Sequence, residues 1–394
     1  MNKMYCDVLI SGAGIVGSVL AIRLVQSGFR VIIIDSAVPH LLPTTSAPDL
    51  RVSAINISSV KLLHMMNIWK RIKSSFYVQF HELEIWECLS SKVVFNSDLL
   101  NLPYMGFIVE NSRLQFALWE NFLDYKNKLI FFDRCSLSSI FYNGKYWEST
   151  CSNGKSVNSL LLIGADGKDS LVRNKVNIGV TGWQYRQFCM LMSIKFTKDQ
   201  KGKIWQLFTP SGPRGFLPLY DNWGSLMWYD NINNIHQLQE LSLPILENIL
   251  QKYFGERLGI IKLYKRFYFS LVRQHANYYV KQGLALVGDA AHTINPLAGQ
   301  GINLGLRDVN TLVNILNAAK CGGELWNTLT VLQRYQNQRR YDNYFMQTGI
   351  DFLYTIFSND ILFIKFLRKS SLVILERSPI LKKYILQYAL GFEF

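Results

Sequence analysis

The first forty residues alternate between short apolar runs and a segment with helical spacing. Residues 8–11 and 31–34 are apolar runs with the length of buried parallel strands. Between them, residues 18–26 have helical periodicity and stop before Gly28, a residue type common after helix C-termini. This pattern predicts a strand–helix–strand unit at the start of an α/β domain.

Apolar runs also occur at residues 160–163 and 284–287, and each is followed by a turn that contains Gly and Asp. Residues 112–122 and a segment from about Asn303 have helical spacing. The stretches 76–105 and 176–280 are predicted to be strands with turns, because short apolar runs are separated there by Gly and Pro. Residues 341–394 have helical apolar spacing.

The composition is that of a folded protein with a large core. The 394 residues are 49% hydrophobic and 18% charged, which excludes disorder and coiled coil. The net charge of +14 is compatible with a dispersed basic surface, with an anionic membrane or with nucleic acid. No run of five like charges occurs, so we predict no nucleic-acid partner.

The cysteines and histidines indicate a reduced protein without a metal site. The six cysteines are widely spaced and form no C-x-x-C pair, as expected of free thiols in the cytoplasm. No histidine begins an H-x-[DE] pair, the local half of a common iron site. The uncharged residues 8–22 are too few for a spanning helix, which needs about 20 residues. We therefore predict a cytoplasmic protein.

Four residues of the first unit have the spacing of a dinucleotide site. Gly12 permits a tight turn, Gly14 lets a pyrophosphate approach the backbone, and Gly17 allows close helix–strand packing. The helix N-terminus attracts phosphate. Asp35, at the end of the second strand, can accept a hydrogen bond from an adenosine ribose. This motif alone does not separate NAD from FAD.

Two later motifs complete a recognisable set. They read A-D-G-x-x-S-x-x-R from Ala165 and G-D-A-A-H-x-x-x-P-x-x-G-Q-G-x-N from Gly288. In this order, the three motifs resemble those of the single-component FAD-dependent aromatic hydroxylases typified by p-hydroxybenzoate hydroxylase. With residues 49–55, 208–219 and 334–351, the resemblance narrows to the ubiquinone-biosynthesis hydroxylases and covers essentially the whole chain.

The resemblance assigns FAD contacts to residues of all three motifs. Asp289 would bind the ribityl chain, and the turn 299–301 would place N–H groups near the flavin pyrimidine edge. Asp166 has a helix cap as its alternative role, and Arg51 has a surface position. The cofactor-binding residues predicted in this way are Gly12, Gly14, Gly17, Asp35, Arg51, Gln115, Asp166, Asp289, Pro296, Gly299, Gln300, Gly301, Ile302 and Asn303.

The family also implies an architecture. It is α/β, with a Rossmann-like FAD-binding domain, an inserted mixed β-sheet substrate domain and a C-terminal helical segment. The FAD-binding domain would comprise residues 1–75, 106–175 and 281–340, and the substrate domain residues 76–105 and 176–280. Aromatic residues of the substrate domain are more readily explained as core than as pocket lining.

The implied reaction is hydroxylation of 2-polyprenyl-3-methyl-6-methoxy-1,4-benzoquinol through a flavin C4a-hydroperoxide, with NADPH or NADH as transient electron donor and O2 as co-substrate. Only one G-x-G-x-x-G is present, which agrees with a nicotinamide that binds briefly. No catalytic residue is assigned, because the chemistry is centred on the flavin, and His292 is interpreted as a packing or capping residue.

Two alternatives stay open: a sibling hydroxylase acting at another ring position, and a non-catalytic FAD-binding scaffold of the biosynthetic complex. The polyprenyl tail implies peripheral contact with the inner membrane and partners among other ubiquinone-biosynthesis proteins. The basic residues of the C-terminal segment fit either an amphipathic face or a packed helix with a solvated side. These basic residues are Lys365, Arg368, Lys369, Arg377, Lys382 and Lys383.

Overall fold

The first sheet is the frame of the nucleotide-binding half of the protein. The structure is a computed structural model that describes residues 3–38, 47–296 and 299–392, apart from the side chain of Leu89. In this sheet, β1 (Met4–Ser11) lies between β2 (Val31–Ile34) and β11 (Ser156–Gly164), and all three are parallel. The order continues with β8 (Leu129–Phe132) beyond β2 and with β18 (Leu284–Leu286) beyond β11.

Three shorter strands complete the sheet: β9 (Leu137–Tyr142), β10 (Trp147–Cys151) and β17 (Val280–Lys281). The central strands are buried on both faces, as expected of parallel strands covered by helices. These helices include α1 (Ile15–Gln26) and α7 (Gly301–Cys321), which pack against each other. Helix α1 begins three residues earlier than its sequence spacing predicted.

The second sheet is mixed, as the sequence predicted. Eight strands lie in the order β19-β16-β12-β15-β14-β13-β5-β6, and only β5 and β13 are parallel neighbours. Their bounds are β5 (Glu82–Trp86), β6 (Val93–Asn96), β12 (Val180–Phe196), β13 (Lys203–Leu207), β14 (Arg214–Pro218), β15 (Trp223–Asn231), β16 (Ile261–Ala276) and β19 (His292–Thr293).

The expectation of strands throughout residues 176–280 was wrong for residues 232–258. These residues form α5 (Ile232–Glu240) and α6 (Leu243–Leu258). The buried residues of α6 recur every four positions and pack on one face of the second sheet. This period was visible in the sequence. The aromatic residues interpreted as core are all buried: Trp205, Phe208, Phe216, Trp223 and Trp228.

A small third sheet is separate from the two large ones. It consists of β3 (Val52–Asn56), β7 (Gly106–Glu110) and β4 (Tyr77–Phe80), all antiparallel. Strand β4 belongs to this sheet although the sequence placed it with the substrate strands. Helices α2 (Ile57–Met65) and α3 (Asn111–Asn121) follow β3 and β7 directly, and α4 (Leu171–Lys175) follows β11.

The chain ends in three helices: α8 (Leu329–Phe357), α9 (Leu362–Arg377) and α10 (Pro379–Leu390). Helix α8 is continuous across residues 340 and 341, where the sequence placed the start of the helical segment. Within the described ranges, no helix is both long enough and apolar enough to cross a bilayer.

Candidate cofactor site

The turns after three parallel strands meet at one edge of the first sheet. Ser11 is in register with Gly164 in the neighbouring strand, and Gly164 is in register with Leu286. A Cβ on Gly12 would lie 2.3 Å from the carbonyl oxygen of Ala165. The carboxyl ends of such strands are where α/β sheets bind nucleotides. The three motifs therefore lie together at this edge, although consecutive motifs are about 120 to 150 residues apart along the chain, and we call the space that they border the cleft.

Two glycines of the first motif, Gly12 and Gly17, have the turn and packing roles that the sequence predicted. Gly12 has φ of +102°, a left-handed conformation that favours glycine. A Cβ on Gly17 would lie 1.9 Å from the Gly12 carbonyl oxygen, so this helix–strand contact needs glycine. Gly14 differs, because no atom of the described residues, apart from its chain neighbours, lies within 4 Å of its Cβ position. The open space lies at the N-terminus of α1, where no side chain caps the helix.

The Asp35 carboxylate lies at the end of β2 and stabilises the first turn. Its Oδ2 accepts a hydrogen bond from the Ala13 amide at 2.6 Å, and its Oδ1 accepts one from the Ala37 amide at 2.8 Å. A carboxylate has lone pairs for further bonds, so a ribose hydroxyl can still bind. Gln115 lies in the same region, and its side-chain amide donates to the Ala13 carbonyl.

Asp166 in the second motif has the capping role that the sequence left open. Its carboxylate accepts hydrogen bonds from the Ser170 hydroxyl and from the amides of Leu171, at 2.9 Å, and Val172, at 3.1 Å. It therefore stabilises the N-terminus of α4. Arg173 donates to the carbonyl of Ala290 at 3.0 Å and so joins the second motif to the third.

The third motif presents a carboxylate and a helix N-terminus to the cleft. The Asp289 side chain is accessible to solvent, but the protein around it removes part of the water that would otherwise surround its carboxylate. This desolvation raises the pKa of Asp289. The charge of His292 opposes the rise, and the charge of Asp308 adds to it. Helix α7 begins at Gly301 without a side-chain cap. Among the described residues, and apart from chain neighbours and the backbone of α7 itself, no atom lies within 4 Å of the Cβ positions of Gly299 and Gly301.

The other predicted residues of this motif have varied positions. Pro296 accepts the Gly299 amide at 2.9 Å, and Ile302 packs against the core. Asn303 is buried and holds the third sheet: it donates to the Ala54 carbonyl at 3.0 Å and accepts from the Asn56 amide at 3.0 Å. Leu297 and Ala298, also part of the motif, lie outside the described residues.

Arg51 is exposed just before β3, and its backbone carbonyl accepts a hydrogen bond from the Asn111 amide at 2.9 Å. No hydrogen bond joins its side chain to the three motifs among the residues described. Its contact with the cofactor therefore stays a prediction.

A buried carboxylate to which the sequence analysis assigned no role supports the third motif. Asp308 of α7 accepts hydrogen bonds from the Gly288 amide at 3.1 Å, from Arg339 Nε at 2.8 Å and from Asn343 Nδ2 at 3.1 Å. His292 Nε2 lies 2.5 Å from the same carboxylate. Burial alone would raise the pKa of Asp308, but His292 and Arg339 outweigh it and hold the pKa well below its usual range.

Helix α8 extends this network toward the second sheet. Gln347 donates to the carbonyls of Gln274 at 2.9 Å and Thr293 at 3.0 Å, and its Oε1 accepts from His275 Nδ1 at 2.7 Å. Burial lowers the pKa of His275 to about 4, so the ring is neutral near pH 7. The polar residues 339, 343 and 347 recur at helical spacing on a buried face, a signal that could have located the network.

Comparison with known proteins identifies the family. The FAD binding domain model matches residues 143–341. The chain is 43% identical to "3-demethoxyubiquinol 3-hydroxylase" of Escherichia coli over 99% of this chain and 100% of that protein. It is 32% identical to "Ubiquinone hydroxylase UbiL" of Rhodospirillum rubrum over 98% and 89% of the two chains. The chain belongs to the FAD-dependent hydroxylases of ubiquinone biosynthesis.

A solved structure confirms the fold of this family member. The p-nitrophenol 4-monooxygenase PnpA of Pseudomonas putida superposes with a TM-score of 0.80 over 100% of both chains, at 17% identity. The predicted fold class is therefore confirmed: a mixed α/β protein with the architecture of FAD-dependent aromatic hydroxylases.

The cleft of this hydroxylase fits FAD, its cofactor. Space is open at Gly14, Gly299 and Gly301, where a side chain would obstruct a ligand. The N-termini of α1 and α7 carry partial positive charge that suits a pyrophosphate and an electron-rich flavin edge. The Gln300 side-chain oxygen is buried without a hydrogen-bond partner among the described residues. By contrast, a shallow recess of about 500 Å³ near Trp147 is lined by no residue of the three motifs.

Proposed function

We propose that this hydroxylase adds a hydroxyl group to the ring of 2-polyprenyl-3-methyl-6-methoxy-1,4-benzoquinol. The observation that carries the proposal is the 43% identity, over the full length of both chains, to a protein named for hydroxylating a ubiquinol that lacks one methoxy group. The convergence of three FAD motifs in one cleft supports the same chemistry. When bound, FAD takes electrons from NAD(P)H and activates O2.

We further propose specific roles for the residues of the cleft. Gly12 permits the tight turn, Gly14 leaves room for the pyrophosphate at the N-terminus of α1, and Asp35 accepts a ribose hydroxyl. Asp289 binds the ribityl hydroxyls, which suits its accessible position in the cleft. The turn 299–301 donates backbone N–H groups to the flavin ring. We also propose contacts with FAD for the other cofactor-binding residues predicted from the sequence: Gly17, Arg51, Gln115, Asp166, Pro296, Ile302 and Asn303.

At four of these residues, the surroundings favour a structural role over a direct contact with FAD. The side chains of Asp166, Gln115 and Asn303 are already engaged by neighbouring backbone, which favours a role in shaping the cleft. A Cβ on Gly17 would meet backbone of the same turn, which favours a packing role there. For Arg51 the exposed guanidinium leaves the predicted ligand contact open to test.

We place the quinol ring between the third motif and the face of the second sheet opposite α6. Leu191, Met227 and Phe269 of that face are half-buried and pack near Tyr354 of α8. Such apolar side chains exclude water, which protects reactive oxygen chemistry from hydrolysis. This placement keeps the proposed division into an FAD-binding domain (1–75, 106–175, 281–340) and a substrate domain (76–105, 176–280), with helices after residue 340.

The decisive experiment is analysis of quinone lipids in cells that lack this protein. Accumulation of the methyl-methoxy quinol, relieved by the wild-type gene, is expected. An earlier intermediate would instead indicate a sibling hydroxylase acting at another ring carbon. Restored quinone synthesis by a folded variant without flavin would favour the scaffold alternative. In vitro, the purified protein should couple NAD(P)H oxidation to hydroxylation of a short-chain quinol.

We also propose that the protein works at the cytoplasmic surface of the inner membrane, since a polyprenyl tail is almost insoluble in water. Other proteins of ubiquinone biosynthesis are the expected partners there.

A further inference from the structure

The exposed apolar side chains of the described residues are concentrated at the C-terminus. Nearly half of the large apolar residues that are exposed lie between residues 341 and 385. A soluble monomer rarely exposes so many apolar side chains in one region without a partner.

Helix α9 shows the arrangement best. Arg368 and Leu372 lie on its buried face and anchor it to the protein. The opposite face carries Phe363, Phe366 and Ile374, which are 70%, 68% and 63% exposed. A helix that only packs against a domain needs one apolar face, so the second face requires another explanation.

The neighbouring helices repeat this arrangement. On α8, Tyr341, Phe345 and Phe352 are exposed on the side opposite the buried polar network. On α10, Ile380 and Tyr384 are exposed opposite the buried Leu386. Phe345 of α8 contacts Tyr388 of α10, with ring centroids 5.8 Å apart, so the two helices are adjacent. We call these outward residues the C-terminal apolar face: Tyr341, Phe345, Phe352, Phe363, Phe366, Ile374, Ile380 and Tyr384.

The charges around this face are mostly positive. Lys369, Arg377 and Lys383 are exposed, whereas Arg368 and Lys382 are buried and form ion pairs with Glu87 and Glu376. The sequence analysis assigned the six basic residues either to an amphipathic face or to the solvated side of a packed helix, and Arg368 and Lys382 fit neither alternative, because both face inward.

Most acidic side chains of the three helices point toward basic partners. Asp342 binds Arg339, and Asp351 binds Arg273 at 2.8 Å. The most exposed acidic residue in this region, Asp360, lies 3.7 Å from Lys365. The outer surface therefore presents apolar groups with basic groups at their border.

We propose that the C-terminal apolar face docks this hydroxylase on an anionic lipid bilayer. Aromatic and aliphatic side chains would enter the boundary between headgroups and acyl chains, while the lysines reach the phosphates. The positive border gives the charge complementarity that selects an anionic bilayer. The helices would lie in the plane of the surface, since none in the described part of the chain can span it.

The proposal rests on the proposed function, because that function explains why the enzyme needs a lipid surface. The opposite face of α8 touches the third motif through Gln347. Docking by the outer face would thus place the cleft one helix layer away from the lipid that holds the quinol tail.

The test is co-sedimentation of the FAD-loaded protein with phosphatidylcholine vesicles that contain or lack phosphatidylglycerol. We expect binding to the vesicles with phosphatidylglycerol, and loss of about tenfold or more in affinity for the variant F363S/F366S/I374S. The matched control F141S/Y253S/I260S removes three residues of similar exposure elsewhere, at 66%, 67% and 72%, and should bind like wild type. The variant K369Q/K383Q should weaken binding only to the anionic vesicles.

Three outcomes would overturn the proposal: no binding by the wild type, equal binding by F363S/F366S/I374S, or a wild-type dimer that this variant converts to monomer without any vesicle binding. If that variant does not fold, I380S/Y384S on α10 serves in its place. Turnover of a water-soluble short-chain quinol distinguishes a failure of the proposed hydroxylase function from a failure of the proposed lipid docking. Its absence in the wild type would refute the proposed function alone, and its retention in the variants would locate the defect in lipid binding.

Discussion

Removal of the buried Arg339 should destabilise the protein far more than removal of an exposed arginine from the same helix. Arg339 is buried, and its Nε lies 2.8 Å from the carboxylate of the fully buried Asp308. Arg334, five residues earlier on α8, forms an exposed pair with Glu324 at 2.6 Å. The substitutions R339M and R334M therefore remove the same group from opposite environments.

The expected magnitude follows from the carboxylate that is left behind. In R339M, Asp308 loses its arginine partner while it stays away from water, and breaking a buried pair in this way costs about 3–5 kcal/mol. His292, Asn343 and the Gly288 amide still contact Asp308, which favours the lower part of that range. An exposed pair is screened by water, so R334M should leave the stability unchanged within error.

Urea unfolding of the FAD-free proteins measures this difference without the contribution of ligand binding. The penalty of R339M should shrink as the pH falls. In wild type, the depressed pKa of Asp308 gives stability that is present above the usual carboxyl pKa and lost below it. Without Arg339 the carboxyl is protonated at milder acidity, which removes the buried charge. Equal unfolding midpoints for R339M and R334M would refute the argument.

Three further predictions concern the cleft and the pH dependence. G14V should fold like wild type but bind little FAD, measured by flavin absorbance, because its side chain would occupy the open space proposed for the pyrophosphate. G17V should also lower the melting temperature, because its Cβ would collide with backbone. Equal FAD content in G14V and wild type would contradict this prediction. D289N should bind FAD more weakly while retaining the melting temperature of the FAD-free protein, since the side chain is accessible; unchanged affinity in a titration would exclude the ribityl contact. As the pH falls from about 6.5 to about 4, the free energy of unfolding should decrease progressively, because the pKa of His275 is depressed in the folded protein and the unfolded chain binds the proton first. H275Q should flatten this part of the plot of stability against pH. An unchanged slope would show that another group titrates.

The local parts of this protein were predictable from its sequence. Residues 31–34 form the predicted strand, and α3 (Asn111–Asn121) lies within one residue of its predicted range. Gly12 has the left-handed backbone that its place in the motif requires. Such features depend on residues a few positions apart, so an apolar period or a glycine spacing contains the necessary information. The order of the three motifs was likewise enough to predict the family and its cofactor.

The partners of individual side chains were decided only by the tertiary structure. Asp308 and Arg339 are 31 residues apart, and Asn56 meets Asn303 across 247 residues. Arg368 and Lys369 are adjacent in sequence, but one is buried against Glu87 and the other is exposed. No local pattern distinguishes them, because burial and pairing depend on which distant elements pack together. The sequence determined the elements and their chemistry, whereas packing decided which polar groups serve the cleft, which support it and which face the surroundings.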